Sequence, residues 1–492
     1  MRNALLLLAV LFLSWSSSQS FPAVALDHPA APFIMTYAFA KDKGATAEFN
    51  KMEGVALDAQ NMKLYIAISD VTKAMTDGEG AIALEENRCG QVMVADLDDA
   101  YNILKLEPFV VGGPYNADDA NRCALGAISN PDNIAVDAKG RVWIGEDTGN
   151  HQNNMLFVFD PATQELKRFA TVPNGAEVTG LHISQNGTLF MNVQHPDPEN
   201  VYPFNRSVIG VVAGFNANTD EFEALSVPEG DERKVARVAA GSYQVLGRTG
   251  DAMPGELSGA AFGEVRALHS GETLLYCNDF DGNMFLPTNE TGTEGYLYTN
   301  YECVPGGISK IYIRATDMGW EVIDGEYVDF ASVNGTRTNC FASVTPWNTG
   351  LSGEEYPAES ADAWASEASA LTTYVGGLAN PFDYGYAIEV MPEEGVGSKV
   401  VKHYAMGRLS VENALVMPDE KTVYFGDDGS ERVLYKFVAD EARNLDVGTL
   451  YAGKITQDGS SLMIEWLELG HGNSDEIAQA IRELDSQLTA AN

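Results

Sequence analysis

One pattern occurs five times along the chain: an acidic residue, an alternating apolar strand, a polar turn and a second apolar strand. The copies are EGVALDAQNMKLYIAISD from Glu53, DNIAVDAKGRVWIGED from Asp132, EVTGLHISQNGTLFMNVQHP from Glu177, EVRALHSGETLLYCND from Glu264 and ENALVMPDEKTVYFGDD from Glu412. Alternation with a period of two, interrupted by Gly, Asn or Asp, is typical of a β-hairpin. The sequence therefore predicts an all-β fold built from repeated antiparallel units.

The irregular spacing of the copies leaves room for a second hairpin in each unit, and MLFVFDPATQELKRFA supplies one after the Asp132 copy. Four strands per unit are the composition of a propeller blade. A sixth unit is predicted between Cys340 and residue 400, in YGYAIEVMPEEGVGSKVVKHYAMG. The favoured fold is a six-bladed β-propeller. The alternative is a pair of β-sandwiches, but a sandwich gives no reason for an acid at the same phase of each unit.

In a propeller, residues at the same end of each innermost strand point into a shared central channel. Carboxylates crowded there repel one another unless cations neutralise them. Oxygen-rich sites select hard cations, above all calcium and also manganese and ferric iron. For any single acid, the alternative is a turn cap or a solvated loop residue. The candidate ring comprises Glu53, Asp132, Asn133, Glu177 and Glu412, with Glu355, Asp427 and Asp428 as further donors.

Both ends of the chain have patterns of their own. The opening MRNALLLLAVLFLSW places one basic residue before an apolar run of roughly ten residues, which is typical of a secretory signal peptide. At the other end, apolar residues recur at helical spacing: Ile477, Ile481, Leu484 and Leu488. The predicted organisation is a signal peptide over residues 1–25, a propeller domain over 26–472 and a C-terminal helix over 473–492.

The chain is strongly acidic, with 70 acidic and 31 basic residues and a formal net charge of −39. This charge argues against nucleic acids and anionic membrane surfaces as partners. The simplest alternative is that the acidic surface only keeps a secreted protein soluble. An anionic substrate would need a strong local positive charge, and bound metal ions are one source of it.

Five cysteines cannot all pair within one chain. Cys89 with Cys123 and Cys277 with Cys303 are plausible bridges in an oxidising compartment, although four cysteines allow three pairings. That pairing leaves Cys340 over. A thiolate among carboxylates points to a transition metal such as iron. A buried free thiol, or a bridge to another cysteine, is the alternative for Cys340.

Four segments together resemble a known family. TNCFASVTPWNTGLSGEE is similar to a signature in which Asn-Cys precedes Thr-Pro-Trp, a Thr and a Glu-Glu pair. MGRLSVENALVMPDEKTVYFGDDGSERVLYKFV, NPDNIAVDAKGRVWIGED and GAEVTGLHISQNGTLFMNVQHP match three further segments. The resemblance is to the PhoX-type alkaline phosphatases. It implies a six-bladed propeller whose channel holds iron and calcium ions and which hydrolyses phosphate monoesters outside the cytoplasmic membrane.

The resemblance also implies roles for single residues. Cys340 matches the iron-binding cysteine of the family, and Lys51 stands where the family has a phosphate-contacting arginine. A lysine keeps the charge of that arginine but loses its two-pronged geometry. Arg408, in the Gly-Arg segment, is expected to help neutralise charge on the phosphoryl group. The acids that match the metal ligands of the family are Glu355, Glu412, Glu53, Asp132 and Glu177.

Three features depart from the family pattern. Val411 precedes Glu412 where the family usually has His, and the signal sequence lacks twin arginines. The Cys and Glu-Glu segment, which usually comes first, here follows the PDN and EVTG segments, so the sequence resembles a circular permutation. A closed propeller tolerates such a permutation because the neighbours of each blade stay the same.

The function predicted on these grounds is a secreted, monomeric phosphomonoesterase that acts on small phosphate esters by attack of a metal-bound hydroxide or oxide. A calcium-dependent propeller lactonase or arylesterase is an alternative, since such enzymes also use Glu, Asn and Asp in the channel. That alternative gives Cys340 no role. A non-catalytic secreted propeller that binds a partner on its rim is a third hypothesis.

Overall fold

Antiparallel strands make up most of the computed structural model, which describes residues 21–255, 259–393 and 397–488. In that part of the chain they form six groups, here called blades I to VI, and one separate hairpin. Blade I contains β1 (Met52–Asp58), β2 (Lys63–Ile68), β3 (Gln91–Asp96) and β4 (Lys105–Val111). Blade II contains β5 (Pro131–Val136), β6 (Val142–Glu146), β7 (Met155–Asp160) and β8 (Glu165–Thr171), with β12 (Arg237–Val238) at its outer edge. Blade III contains β9 (Glu177–Ile183), β10 (Leu189–Gln194), β11 (Val208–Ala213) and β13 (Ser242–Arg248).

The remaining blades have the same meander. Blade IV contains β16 (Phe280–Pro287), β17 (Glu294–Tyr301), β18 (Gly307–Thr316) and β19 (Gly319–Tyr327). Blade V contains β20 (Asn339–Val344), β21 (Gly350–Glu354), β22 (Ile388–Pro392) and β23 (Ser398–Lys402). Blade VI contains β24 (Val411–Val416), β25 (Thr422–Asp427), β26 (Tyr435–Glu441), β27 (Asn444–Asp458) and β28 (Ser461–Asn473). The separate hairpin is β14 (Glu264–Arg266) with β15 (Thr273–Tyr276).

The first strands of the blades contact one another in cyclic order: β1 with β5, β5 with β9, β9 with β16, β16 with β20, β20 with β24, and β24 with β1. They therefore surround one axis. The predicted all-β propeller is confirmed, and so is a strand unit between Cys340 and residue 400.

The hairpin that begins at Glu264 is not a blade, so this part of the sequence prediction is wrong. The Glu264 carboxylate accepts hydrogen bonds from the backbone N–H of Ala261 (2.9 Å) and from Arg266 (2.9 Å), and also bonds the hydroxyl of Thr273. Glu264 therefore stabilises the hairpin to which it belongs and does not point into the channel. Blade IV instead begins 16 residues later, at Phe280.

The ring is joined between blades I and VI by their outer strands as well. β28 pairs with β4 through Leu462 opposite Leu106 and Met463 opposite Lys105. As a result, the strands of blades I and VI form one nine-stranded sheet.

Four helices in the described part of the chain pack against the blades. They are α1 (Ala31–Ile34), α2 (Thr36–Asp42), α3 (Ala361–Val375) and α4 (Ser474–Leu484), with short 3-10 turns at Lys73–Met75, Gly230–Lys234, Ala331–Val333, Pro381–Asp383, Tyr404–Met406 and Asp485–Gln487. Of these, α1 and α4 contact β28. Ile477, Ile481 and Leu484 of α4 are buried in one hydrophobic cluster with Phe33 of α1, as the helical spacing predicts. No helix among the described residues is long and apolar enough to cross a membrane. Most of the predicted signal peptide, residues 1–20, lies outside the described residues.

The two predicted disulfides, Cys89–Cys123 and Cys277–Cys303, are present, and Cys340 is a buried free thiol. The first bridge joins the loops around blades I and II, and the second lies in blade IV between the start of β16 and the end of β17. A bridge that closes a loop of this kind stabilises a protein mainly by restricting its unfolded chain.

The Thr-Pro-Trp segment supports a buried ion cluster at the edge of blade V. Trp347 Nε1 and Thr349 Oγ1 both donate hydrogen bonds to Glu389 Oε1, at 2.8 and 2.5 Å. The other oxygen of Glu389 lies 3.0 Å from His403 Nε2, and His403 Nδ1 lies 2.9 Å from Asp446 of blade VI. The cluster therefore connects the last two blades.

The pKa of His403 follows from these contacts. Burial by itself lowers the pKa, but the hydrogen bonds to Asp446 and Glu389 and their charges outweigh burial and raise it to about 9. The pKa of Glu389 and of Asp446 are lowered in return, despite burial. His403 is therefore a buried imidazolium at neutral pH.

We expect His403 to make stability depend on pH. Because its folded pKa lies above the unfolded value of about 6.5, its contribution is complete below that pH and disappears as pH rises through 9. His403→Gln should cost on the order of 2–3 kcal/mol at pH 6 and almost nothing at pH 10. Urea unfolding of both proteins across this range measures the difference. An equal cost at pH 6 and pH 10 would contradict the assignment.

Candidate metal centre

The mouth of the channel contains a cavity of about 300 Å³ that receives side chains from all of blades I to VI. The lining includes Lys51, Gln194, His195, Cys340 and Tyr356. The rest of the lining consists of ten carboxyl groups: Glu53, Asp132, Asp147, Glu177, Asp279, Asp281, Glu302, Glu355, Glu412 and Asp428. A cavity of this composition is a site for cations.

The first tier of these side chains comes from the start of each innermost strand. In five of the six blades the pairing with the second strand is irregular there, whereas Glu177 of blade III pairs regularly with Gln194. The register shifts between Met52 and Val55, Pro131 and Ile134, Phe280 and Asn283, Asn339 and Ala342, and Val411 and Ala414. Each interval contains a cavity residue, in chain order Glu53, Asp132, Asp281, Cys340 and Glu412. An irregularity of this kind re-aims a side chain away from the ladder. The shared position of the shift explains the shared phase of the acids in the sequence.

The second tier comes from the opposite end of the second strands. Asp147, His195, Glu302, Glu355 and Asp428 each follow immediately after the last residue of β6, β10, β17, β21 and β25. Adjacent antiparallel strands place the start of one beside the end of the other, so the two tiers meet at the same mouth.

Four overlapping triads of donors lie within this cavity, and the donor atoms of each triad are within 4.8 Å of one another. They are Asp281–Glu302–Cys340, Cys340–Glu355–Glu412, Glu53–Asp132–Glu412 and Glu53–Glu355–Asp428. Each triad shares at least one member with another. The arrangement thus suits several cations held close together. A further group, Cys277, Asp279 and Cys303, has its sulfurs in a disulfide and offers no thiolate.

Several donor atoms have no hydrogen-bond partner although they are buried. They are Asp281 Oδ1, Glu412 Oε1, Asp428 Oδ1 and Gln194 Oε1. A buried acceptor without a partner is costly, and a bound cation removes that cost. The donors therefore fit metal ions. Among the described residues, no group donates a hydrogen bond to these four atoms.

Burial and mutual repulsion raise the pKa of the carboxyl groups. The pKa of Glu53, Glu177, Asp281, Glu355 and Glu412 lies well above the ordinary value, first because of burial and then because of neighbouring carboxylates. The pKa of Asp132 and of Glu302 rises to about 7 for the same reasons. Without cations, the protein cannot ionise all of these groups at neutral pH.

Cys340 lies between the two carboxylates of neighbouring blades. Its Sγ is 3.1 Å from Asp281 Oδ2 and 3.1 Å from Glu412 Oε2. Burial and these acids raise the pKa of the thiol well above its usual range. A bound cation reverses the local electrostatics and favours the thiolate. Cys340 belongs to two of the four triads, so the soft donor is confined to one side of the cavity.

Two basic residues line the cavity. Lys51 Nζ is 3.0 Å from Glu53 Oε1, and its side chain is 34% exposed, so its ammonium reaches the mouth. His195 bonds Glu177 through Nε2 and lies 3.0 Å from the carbonyl of Gly175 through Nδ1. Burial lowers the pKa of His195, but the bond to Glu177 and its charge raise it to about 10. Lys51, His195 and Tyr356 have positive φ angles of 52°, 33° and 46°, and strained non-glycine residues of this kind concentrate at functional sites.

Most of the residues selected from the sequence meet in the cavity: Lys51, Glu53, Asp132, Glu177, Cys340, Glu355, Glu412 and Asp428 all line it. Asn133 does not. It points sideways, and its Oδ1 accepts a 3.4 Å hydrogen bond from the backbone N–H of Leu181 in blade III. Asn413, beside Glu412, bonds Val55 of blade I in the same manner, at 2.9 and 3.0 Å. In the pairs Asp132-Asn133 and Glu412-Asn413, the acid therefore lines the cavity and the amide bonds the backbone of an adjacent blade.

Arg408 also lies outside the cavity. Its guanidinium donates hydrogen bonds to the carbonyls of Tyr384 (2.9 Å), Ala358 (2.7 Å) and Pro381 (3.2 Å), and it packs on the ring of Phe382. Three carbonyls and a buried aromatic ring make Arg408 a structural residue, which corrects its expected contact with the phosphoryl group.

Two acids next to cavity residues are likewise structural. Asp427 accepts a hydrogen bond from the backbone N–H of Ser410, at 3.1 Å, and does not line the cavity. Glu354 pairs with Lys402 at 3.0 Å, with both side chains fully buried. In each of the pairs Glu354-Glu355 and Asp427-Asp428, the first acid closes the strand and the second enters the cavity.

Seven lining residues were not predicted from the sequence: Asp147, Gln194, His195, Asp279, Asp281, Glu302 and Tyr356. Asp281 was hidden because the blade was placed at Glu264, on a hairpin with the same alternation. The residues of the second tier could have been predicted from a polar residue directly after the second strand of a blade. This residue is the last one in the triplets GED, VQH and NYE, which end at Asp147, His195 and Glu302.

We expect removal of one cavity charge to stabilise the metal-free protein. Glu412 lies among Asp132, Glu355, Glu53 and Asp281, so Glu412→Gln relieves repulsion and should raise stability on the order of 1–3 kcal/mol after chelation. Thermal unfolding at pH 8 with a chelator measures this gain. Glu420→Gln is the matched control: its carboxylate pairs with Arg443 outside the cavity, so its removal should give no gain. A loss of stability in Glu412→Gln would contradict the account of the cavity.

Comparison with known proteins extends this description. One of the solved structures similar to this chain is Pseudomonas fluorescens PhoX in complex with vanadate, a transition state analogue, with 19% identity over 42% of this chain and a TM-score of 0.31. The match spans about half (53%) of that PhoX chain. A putative gluconolactonase matches 87% of this chain and 95% of its own with 9% identity and a TM-score of 0.38, and the Dos1 propeller matches 87% and 95% with 9% identity and a TM-score of 0.34.

No curated protein matches the chain in sequence. The family model described as alkaline phosphatase PhoX matches residues 18–197 and 309–491, which together are more than half of the chain. The matched segments include Glu53, Asp132 and Glu177 in the first and Cys340 and Glu412 in the second. The chain therefore belongs to the PhoX alkaline phosphatase family.

Proposed function

We propose that this protein is a secreted phosphomonoesterase that depends on iron and calcium and releases inorganic phosphate from small phosphate esters. The observation that carries the proposal is the set of four overlapping triads at the channel mouth, two of which contain the free thiol of Cys340. Membership of the PhoX alkaline phosphatase family supports the reaction type.

The chemistry of the donors divides the cavity. Cys340 with Asp281, Glu302, Glu355 and Glu412 would hold iron, because thiolate donors favour transition metals. The triads made only of oxygen donors would hold calcium, through Glu53, Asp132, Glu355, Glu412 and Asp428. When bound, such cations polarise phosphoryl oxygens and activate water at neutral to alkaline pH. They also remove the repulsion that an acidic protein offers an anionic ester.

Lys51 is the residue that would bind the phosphoryl group directly. Its ammonium reaches the mouth while its Nζ contacts Glu53, so it lies between solvent and the donors. The neighbouring charge of Glu53 raises the pKa of Lys51 above its ordinary value, with Asp428 and Asp147 adding to it, although burial opposes them. Lys51 is therefore a permanent cation, and it can stabilise negative charge that develops on the phosphoryl oxygens.

His195 orients Glu177 of the first tier, and Tyr356 orients Asp428 of the second tier. Since the pKa of His195 rises to about 10, both ring nitrogens carry protons at neutral pH, Nε2 toward Glu177 and Nδ1 toward the Gly175 carbonyl. The hydroxyl of Tyr356 donates to Asp428 Oδ2, and its ring is 45% exposed at the mouth. These contacts fix the carboxylates in place and narrow the entrance to water and substrate.

Export is part of the proposal. Two disulfides are typical of proteins from oxidising compartments. The apolar run near the N-terminus, with Arg2 before it, supports a signal peptide.

Chelation should abolish hydrolysis of 4-nitrophenyl phosphate, and iron plus calcium should restore it, because the carboxylates alone offer nothing to bind a phosphoryl oxygen. Cys340→Ser should lower the activity at least about tenfold and reduce the iron content, since a hydroxyl is a poor replacement for a thiolate. Elemental analysis and the phosphatase assay on the same samples check both effects. Ser369→Ala, on the exposed face of α3 and outside the cavity, is the control.

The outcome also separates the alternative function. Calcium without iron in the purified protein, together with turnover of a lactone and none of the phosphate ester, would favour a lactonase. Full activity and full iron content in Cys340→Ser would remove the cysteine from the mechanism.

Lys51 and Arg408 should respond to substitution in opposite ways. Lys51→Met is expected to lower kcat/KM of the folded, metal-loaded protein about 100-fold, because it removes a cation that stabilises the transition state. Arg408→Lys should lower the melting temperature, since a lysine cannot reach three carbonyls, while kcat/KM of the folded protein stays close to that of the wild type. Kinetics and thermal unfolding of each variant measure the contrast. A Lys51→Met protein with normal kinetics would refute the role of Lys51.

A further inference from the structure

A second polar cavity, here called the side pocket, lies beside the channel mouth between blades I and II. It has a volume of about 460 Å³, and its lining includes Asp70, Lys73, Glu86, Arg88, Arg122 and Asn130. The channel cavity is smaller, at about 300 Å³. None of the residues of the side pocket belongs to the four triads.

The side pocket and the channel cavity share a wall. The backbone N–H of Ser69 donates to the carbonyl of Lys51 at 2.9 Å, and Asn130 Nδ2 donates to the carbonyl of Ser69 at 2.8 Å. The backbone N–H of Asp147 donates to the carbonyl of Asn130 at 3.2 Å. Lys51 and Asp147 line the channel cavity, whereas Asn130 lines the side pocket. Both cavities are therefore formed at the same end of the propeller.

A second link joins the side pocket to blade VI. Lys73 Nζ lies 2.5 Å from Ser430 Oγ, and Ser430 is two residues beyond Asp428. A molecule that spans the two cavities would pass over this short stretch of chain.

The side pocket is basic in a protein that is otherwise acidic. Lys73, Arg88 and Arg122 line it, against Asp70 and Glu86. Glu86 forms an ion pair with Arg88, with 2.5 Å between Glu86 Oε1 and Arg88 Nε. Among the described residues, neither Lys73 nor Arg122 forms an ion pair with a carboxylate. Cationic side chains without a carboxylate partner are scarce in a protein with a net charge of −39. Their position beside the channel mouth favours the binding of an anion there.

The arginines are held in place by covalent and aromatic contacts. Arg88 and Arg122 each immediately precede a cysteine of the Cys89–Cys123 disulfide, whose Cα atoms are 5.9 Å apart. The guanidinium of Arg88 packs over the ring of Tyr115, with its carbon 5.6 Å from the ring centroid. Arg122 also donates a 2.7 Å hydrogen bond to the carbonyl of Gly149. A pair of arginines fixed in this way loses little freedom when it binds an anion, and arginine suits phosphate and carboxylate groups.

We propose that the side pocket binds a second anionic group, a phosphate or a carboxylate, on the same ester whose phosphate occupies the channel cavity. The proposal rests on the proposed phosphatase function and specifies its substrate class: phosphate monoesters whose leaving group carries another negative charge. Lys73, Arg88 and Arg122 select these esters, while hydrolysis takes place at the channel mouth. The short bridge between the cavities sets the separation of the two charged groups.

The test uses three sets of esters on the metal-loaded full-length protein. They are α,ω-alkanediol monophosphates, the matching bisphosphates and the matching ω-carboxyalkyl phosphates, each with chains of three to eight carbons. The wild type should show a higher kcat/KM, counted per phosphate, for the bisphosphates than for the monophosphates, with a maximum at one chain length. The carboxyalkyl series shows whether a carboxylate serves as well as a phosphate.

The double variant Arg88→Gln/Arg122→Gln should lower the ratio of bisphosphate to monophosphate kcat/KM about tenfold, the effect of losing a charge-assisted hydrogen bond. Arg122→Lys, which keeps the charge, should retain part of the preference. The control is Arg314→Gln/Arg443→Gln, which removes two exposed arginines that pair with Glu294 and Glu420 elsewhere. The control changes the net charge by the same amount as the Arg88/Arg122 variant. It should nevertheless keep the ratio of the wild type, because its two arginines lie outside the side pocket.

The outcomes separate the two proposals. Hydrolysis of monophosphates with the same ratio in the wild type and in the Arg88/Arg122 variant would overturn the side-pocket proposal and leave the phosphatase function intact. An equal fall of the ratio in the Arg314/Arg443 control would overturn it as well, because the effect would then belong to net charge. Absence of hydrolysis of every ester by the wild type would overturn both.

Discussion

Repulsion among the acids of one small cavity is the constraint on which the rest of this structure depends. Ten carboxyl groups and a thiol share about 300 Å³, and burial makes each negative charge more costly. Only a rigid surrounding can hold such groups together, and the closed ring of first strands provides it. Bound cations would convert this repulsion into binding energy, and the buried oxygens of Asp281, Glu412 and Asp428 that lack hydrogen-bond partners belong to side chains that line this space.

The ring is rigid because amides and hydroxyls of one blade bond the backbone of the next. Asn413 bonds Val55 of blade I, Asn192 bonds the carbonyl of Asp281 in blade IV at 2.6 Å, and Ser343 bonds the carbonyl of Ala414 in blade VI at 2.5 Å. Such buried hydrogen bonds fix register as well as position. Gly426 completes the fit, since a side chain there would collide with the carbonyl of Glu53. The donors are thus positioned by the packing between blades rather than by any one blade.

The hairpins, the two disulfides and most of the cavity residues could be predicted from the sequence, because alternation, cysteine spacing and the phase of the acids are local patterns. The errors come from patterns that several structures share. The hairpin at Glu264 alternates as a first pair of strands would, and only its isolation from neighbouring strands distinguishes it. Asn133 stands beside Asp132, yet its side chain points away from the cavity, to the backbone of Leu181. Arg408 lies four residues before Glu412, and its side chain likewise points away, to the backbone of Tyr384. Asp281 was missed because the first strand of blade IV was predicted at Glu264 rather than at Phe280. The permuted order of the family segments stays a prediction.

The pairing of β28 with β4 has a consequence for the order of assembly. Glu53 comes from blade I and Glu412 from blade VI, and one triad needs both. Synthesis proceeds from the N-terminus, so the first blade waits beside an incomplete ring until the last strands exist. The cavity therefore cannot be complete before the last strands have been made, and any cation that it binds as a whole can enter only then. The compartment in which folding finishes, rather than the one in which translation occurs, would then decide which cations are available to the cavity.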